Sequence, residues 1–183
     1  MLPVVSKITL AQQGFYDPVT NSLSMSDTIK AYLRNINSPY NIVDSGKTVI
    51  NMGNFTGLVL FSNAATGTYY VQIKHRNTIE TWSKSGGQIY TRGITFSYNF
   101  TTAQTQAYGN NLVLKGTKYC IYSGDVNQDG SVDGTDLSLI DNDATNFVTG
   151  YVATDLDGNS FVDGSDYAIG DNNAFNFVVK STP

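Results

Sequence analysis

The chain of 183 residues holds one cysteine, one histidine, one tryptophan and one glutamate. A lone Cys120 cannot form an internal disulfide, and a small strand residue in the core is its expected role. His75 stands beside Arg76 in a strand-like run, which suits a satisfied or exposed strand histidine rather than a general base. Glu80 has no second carboxylate to pair with across a cleft, as glycosidase chemistry requires. Serine in G-x-S-x-G and a phosphate-binding glycine loop are also missing. The expectation is a non-enzyme, with Asp17, Asp27 and Asp44 as turn and strand-edge residues. Charged residues make up only 14%, yet no apolar run approaches the ~20 residues a membrane span needs. Met1 to Leu10 lacks the basic start, apolar run and cleavage site of a signal peptide, so for a secreted form the leader is expected to have been cut away or replaced by Met1.

Aromatic residues, at 12%, are plentiful, as are Tyr, Thr, Asn and Gly. That mixture favours β structure with polar turns, in an extracellular setting. From Val4 to Tyr122 the periodicity is close to two. Strands are expected over Val5–Gln12, Thr28–Arg34, Ile42–Asp44, Thr48–Asn51, Phe55–Phe61, Tyr69–Arg76, Thr78–Trp82, Ile94–Phe100, Asn111–Leu114 and Lys118–Tyr122. Turn residues such as Ser45-Gly46 and Gly86-Gly87 divide them. This pattern predicts an N-terminal β-sandwich over residues 1–122, with a local likeness to immunoglobulin-like or transthyretin-like modules around Gly67–His75. A smaller α-containing segment over 123–183 follows. Ser123-Gly124 is the only joint, so the two parts are expected to sit against each other.

The densest chemistry lies in that second segment. Asp125 to Asp136 reads D-V-N-Q-D-G-S-V-D-G-T-D, with side-chain oxygens from Asp125, Asn127, Asp129, Asp133 and Asp136 at loop positions 1, 3, 5, 9 and 12. Gly130 holds position 6, where the chain turns sharply, and Ser131 can offer its carbonyl at position 7. Calcium takes six to eight oxygens from such a loop. The pattern recurs thirty residues later, with Asp155, Asp157, Asn159, Asp163 and Asp166, and with Phe161 at position 7. Here Ser160 replaces the turn glycine and Asn159 removes one charge, so two calcium ions are expected with the second held more weakly. The copies extend through their exit helices, in which Leu137, Ile140, Phe147, Ile169 and Phe177 are expected to form the packed apolar faces. Asp141, Asp143 and Asp171 could bind extra calcium or a neighbour's Lys or Arg, helix-surface solvation being the simpler role.

Twelve-residue loops ending in Asp, a single exit helix each and a tandem repeat resemble a dockerin domain, over roughly Tyr122 to Val179. The resemblance implies paired EF-hand-like calcium loops, calcium-dependent folding and a role in holding extracellular proteins together, with a cohesin as partner. Positions 10 and 11 here are Gly134-Thr135 and Gly164-Ser165, and Asp141-Asn142 and Asp171-Asn172 follow on the helices. These depart from the hydroxyl pair and basic residues common in dockerins that bind cohesins.

Charge divides the chain. Residues 1–122 carry ten of the eleven Lys/Arg against four acids, a net +6, and residues 123–183 carry eleven Asp against Lys180, a net −10. The basic residues are scattered in sequence and accompany no recognition motif, so a nucleic-acid partner is not expected. The leading reading is a calcium-stabilised, self-associating structural protein, in which the run Leu2–Leu10 adds to a neighbour's sheet edge. Attachment to a cohesin-like scaffold is the second. A carbohydrate-binding accessory module, with Trp82, Tyr69, Tyr70 and Tyr90 as a stacking platform, is the third.

Overall fold

The computed structural model describes residues 5–183. Twelve strands precede two helices: β1 (Ser6–Thr9), β2 (Tyr16–Asp17), β3 (Ser22–Leu23), β4 (Asp27–Asn35), β5 (Ile42–Ile50), β6 (Thr56–Val59), β7 (Gly67–His75), β8 (Thr78–Trp82), β9 (Gln88–Tyr90), β10 (Ser97–Asn99), β11 (Val113–Lys115), β12 (Lys118–Cys120), α1 (Gly134–Thr145) and α2 (Gly164–Phe175). A five-stranded sheet runs β5-β4-β7-β8, with β9 also on β7, and a three-stranded sheet runs β10-β1-β6. Alternate residues of both turn inward, so Ile29, Ala31, Leu33, Val71 and Ile73 meet Ile8, Leu10, Val59 and Phe100 in one core. The architecture is mainly β and fits a sandwich. Cys120 is buried in that core, and burial pushes its thiol up to about 12.

Three expectations change. Ile42–Asp44 and Thr48–Asn51 are one strand, because Ser45-Gly46 is not a turn. Gly46 pairs with Ala31 and lies under Val59, where a Cβ would come within 2.6 Å of Val59 Cγ1. The glycine serves close approach of the two sheets. The N-terminal run, as far as it is described, is not a free edge: Ser6–Thr9 pairs antiparallel with β6, and Lys7–Thr9 pairs parallel with β10. Leu2, Pro3 and Val4 lie outside the described residues. The proposed stacking platform is turned into the protein. Trp82 is 3% exposed, with Tyr70 and Tyr90 nearly as buried, and Tyr70 meets Trp82 edge-on at 6.0 Å.

Candidate metal centre

Each twelve-residue loop runs directly into a helix, and its last carboxylate is part of the helix start. Asp133 caps α1 by accepting from Thr135 N, while Asp136 reaches back to Asp133 N at 3.1 Å. Asp136 also accepts from Val126 N and Asn127 N at 2.9 and 3.1 Å. The second loop repeats the arrangement. Asp163 caps α2, and Asp166 accepts from Asp163 N, Leu156 N and Asp157 N at 2.9, 2.6 and 3.0 Å. Backbone N–H groups thus hold both position-12 carboxylates in place.

The loops cross. Val132 N donates to Val178 O and Lys180 N to Gly130 O, both at 2.8 Å, so loop one pairs with the segment after α2. Val162 N donates to Val148 O at 3.0 Å and Gly150 N to Ser160 O at 2.8 Å, so loop two pairs with the segment after α1. Ser131 and Phe161 sit at the centres of these bridges. Ile140, Leu156 and Val162 form a small buried core between the repeats, with Ile169 and Val148 beside it.

Two helix-face expectations fail. Phe147 is 74% exposed and Phe177 is 85% exposed, joined by Phe175 at 80%. Each helix is capped one residue earlier, at Asn146 and Asn176, and both phenylalanines adopt a left-handed φ of 52°. That turn takes each ring off the helix face and brings Val148 and Val178 inward instead.

At the loop positions, Asp125, Asp136, Asp155 and Asp166 are all buried. One Asp125 carboxylate oxygen, Oδ1, has no hydrogen-bond partner. Burial first, then Asp136 and Asp129 nearby, pushes the Asp125 carboxyl up to about 6. Burial likewise raises Asp136, Asp155 and Asp166. Asp129 is exposed, and its Oδ1 accepts from Ser131 N at 2.9 Å. Asn127 donates to Asp129 Oδ2 at 2.9 Å, and Asn159 to Asp157 Oδ2 at 3.0 Å. Among the described residues, Asp155, Asp157 and Asp166 are the trio whose carboxylate oxygens converge within 4.8 Å of one another. Buried carboxylates with an orphaned oxygen, in an all-oxygen donor set, fit a hard divalent cation such as calcium.

A second cluster was not read from the sequence. Asp27 is buried, accepting from Arg76 Nε at 2.9 Å and from Tyr151 OH at 2.5 Å, and it lies 2.9 Å from His75 Nε2. Arg76 Nη2 reaches 3.7 Å from Asp155 Oδ2, so this cluster touches loop two. The strand alternation that places His75 on the inward face with Val71 and Ile73 was the available signal, since a buried imidazole needs a partner. The partner, Asp27, is 48 residues away.

No protein-family model matches the sequence, and no curated protein matches it. The architecture places the chain in the mainly-β, sandwich class, with two short helices. Among solved structures it is similar to a chain of a type II cohesin–X–dockerin complex from Acetivibrio cellulolyticus, a C-terminal interface mutant. The TM-score is 0.54 at 12% identity, covering 95% of this chain and 99% of that one. An N-terminal interface mutant of the same complex gives 0.50 at 12% identity, with the same coverage. At that identity the likeness is one of fold.

Proposed function

We propose that the protein is a non-catalytic, extracellular docking module whose loop–helix segment is held together by two calcium ions. Asp125, Asn127, Asp129, Asp133, Asp136 and the Ser131 carbonyl hold one ion. Asp155, Asp157, Asn159, Asp163, Asp166 and the Phe161 carbonyl hold the other. The carrying observation is the set of four buried carboxylates in two crossed loops, which are costly as anions until a cation joins them. Calcium supplies that charge. Loop two already brings three carboxylates together, and backbone bonds orient Asp136 and Asp166 in the two loops.

A protein partner is supported by the exposed rings of Phe147, Phe175 and Phe177, the first and last at equivalent places in the two repeats. The likeness to cohesin–X–dockerin complexes spans nearly the whole of both chains, so it takes in the β-rich part and the helices together. On this reading the partner is a cohesin-like protein. A second reading, self-association, is favoured by the opposite charges of the two parts of the chain. Calcium titration calorimetry, with circular dichroism before and after chelator, tests the metal reading. Two binding events and a chelator-induced loss of helix are expected, and no uptake with unchanged structure defeats it. A pull-down on a cohesin panel, with and without calcium, tests the partner.

A further inference from the structure

On β4, Thr28, Lys30, Tyr32 and Arg34 alternate with the core residues and line the outer face of the five-stranded sheet. The register sets Lys47 of β5 and Lys74 of β7 directly beside Lys30, one on each side. Adjacent strands are ~4.8 Å apart, so three lysines in one row repel one another and weaken the sheet. Only Lys74 is relieved, by Glu80 at 2.8 Å. Among the described residues, Lys30 and Lys47 pair with no carboxylate.

Three adjoining cavities share Lys30, with volumes of about 310, 400 and 650 Å³. Lys30, Arg34, Lys47, Lys74, Arg76 and Lys180 line this groove, and Glu80 is its one acid. Folding has gathered basic residues that lie apart in the sequence. Among the groove's rings, Trp82 is buried with Arg34 over it at 5.0 Å, Tyr151 is covered by Arg76 at 4.6 Å, and Tyr32 and Tyr40 are half-buried, so cationic groups dominate the lining. Rows of ammonium groups attract anions, and carboxylates are the anions this chain itself carries in excess.

The same chain carries exposed acids of the opposite sign. Asp141 on α1 and Asp171 on α2 are exposed, occupy equivalent places in the two repeats, and pair with no base among the described residues. Neither belongs to the calcium loops. We propose that the basic groove of one copy receives the Asp141/Asp171 face of a second copy, a head-to-tail contact that joins further copies. This rests on the self-association reading and names its two surfaces.

Charge reversal tests it, by sedimentation velocity of the calcium-loaded protein. At ~0.01 M salt, where the Debye length is about 30 Å, the wild-type average mass is expected to rise with concentration; at ~1 M, where it is about 3 Å, the mass should return to the monomer value. Lys30→Glu/Lys47→Glu and Asp141→Lys/Asp171→Lys should each stay monomeric alone. Mixed together they should associate, since each then offers the surface the other has lost. A wild type that stays monomeric at low salt overturns the proposal. So do variants that associate as the wild type does, or a mixture that stays monomeric. Circular dichroism and calcium calorimetry on each variant keep the outcomes separate: full calcium uptake without association defeats this contact and leaves the metal reading intact.

Discussion

Ser160 adopts φ of +70° at the loop position where Gly130 adopts +98°. A side chain in that region costs roughly 1–2 kcal/mol, offset in part by the greater freedom glycine has when unfolded. The bonds made by Ser160, from its N–H to Asp155 and to its carbonyl from Gly150, are backbone bonds and survive substitution. Ser160→Gly is therefore expected to stabilise the calcium-loaded protein by about 0.5–1 kcal/mol, and a lowered Tm in saturating calcium would contradict it. His75 makes a different kind of prediction. Burial first, then the Arg76 charge, holds its imidazole below the ordinary histidine value, although the Asp27 bond pulls upward. Burial alone would raise Asp27, yet His75, Tyr151 and Arg76 together hold it well below the usual carboxylate range. A folded pKa below the unfolded one, for either group, means the unfolded chain takes up protons first. Stability should thus decline as pH falls below ~6.5 through His75, and further below ~4 through Asp27. Denaturant unfolding in excess calcium between neutral and mildly acid pH measures the first decline, and His75→Gln should flatten it. An equal slope in the variant would assign that decline to other groups.

At the scale of elements, the two helices meet at Gly170. A Cβ there would lie 3.0 Å from Ile140 Cδ1 and 3.1 Å from Leu137 Cδ2, so a β-branched side chain has no room. Gly170→Val is expected to cost about 1–3 kcal/mol by overpacking, seen as a lower denaturant midpoint with calcium present; an unchanged midpoint would mean the helices separate freely. This contact was invisible in the sequence, whereas the loops that precede the helices were plain in it. The reason is range. A metal loop and its capping box are set within about a dozen consecutive residues, so spacing alone carries them. The alternation in β4 and β7 is equally local, and those strands were legible. By contrast β2 and β3 have two residues each, too short for a period. Gly46 reads as a turn residue until Val59 is seen above it, and Phe147 reads as core until the left-handed turn that expels it is known. The Asp27–His75 pair and the lysine row depend on which strands become neighbours, and periodicity does not determine that.

Over the whole molecule the two acidic loops are unequal, because the second is held more extensively by the sandwich. Asn77 Nδ2 donates to Asp155 O at 2.8 Å, Ser24 Oγ donates to Asp157 O at 2.5 Å, and Gly14 packs so closely that a Cβ would come 1.8 Å from Leu156 O. Loop one has a lighter hold on the sandwich, through Gln128 Nε2 to Thr78 O at 3.3 Å and Gly124 N to Asn77 O at 2.7 Å. Position 1 of loop two is therefore fixed from outside the loop, and on the proposed calcium reading an ion held there would also strengthen the joint between the two parts. Removing the Asn77 amide leaves a buried carbonyl unsatisfied at a cost of about 1–3 kcal/mol. Asn77→Ala should then weaken one of the two calcium sites and spare the other. It should also split a single thermal transition into two, as the sandwich and the loop–helix segment come to unfold separately. Calorimetric titration and scanning calorimetry on the same sample read both effects. Weakening of both sites together would mean that the loops act as one unit, with the sandwich merely resting against it. A fully unchanged titration and melt would mean that the Asn77 contact does not couple the metal to the fold.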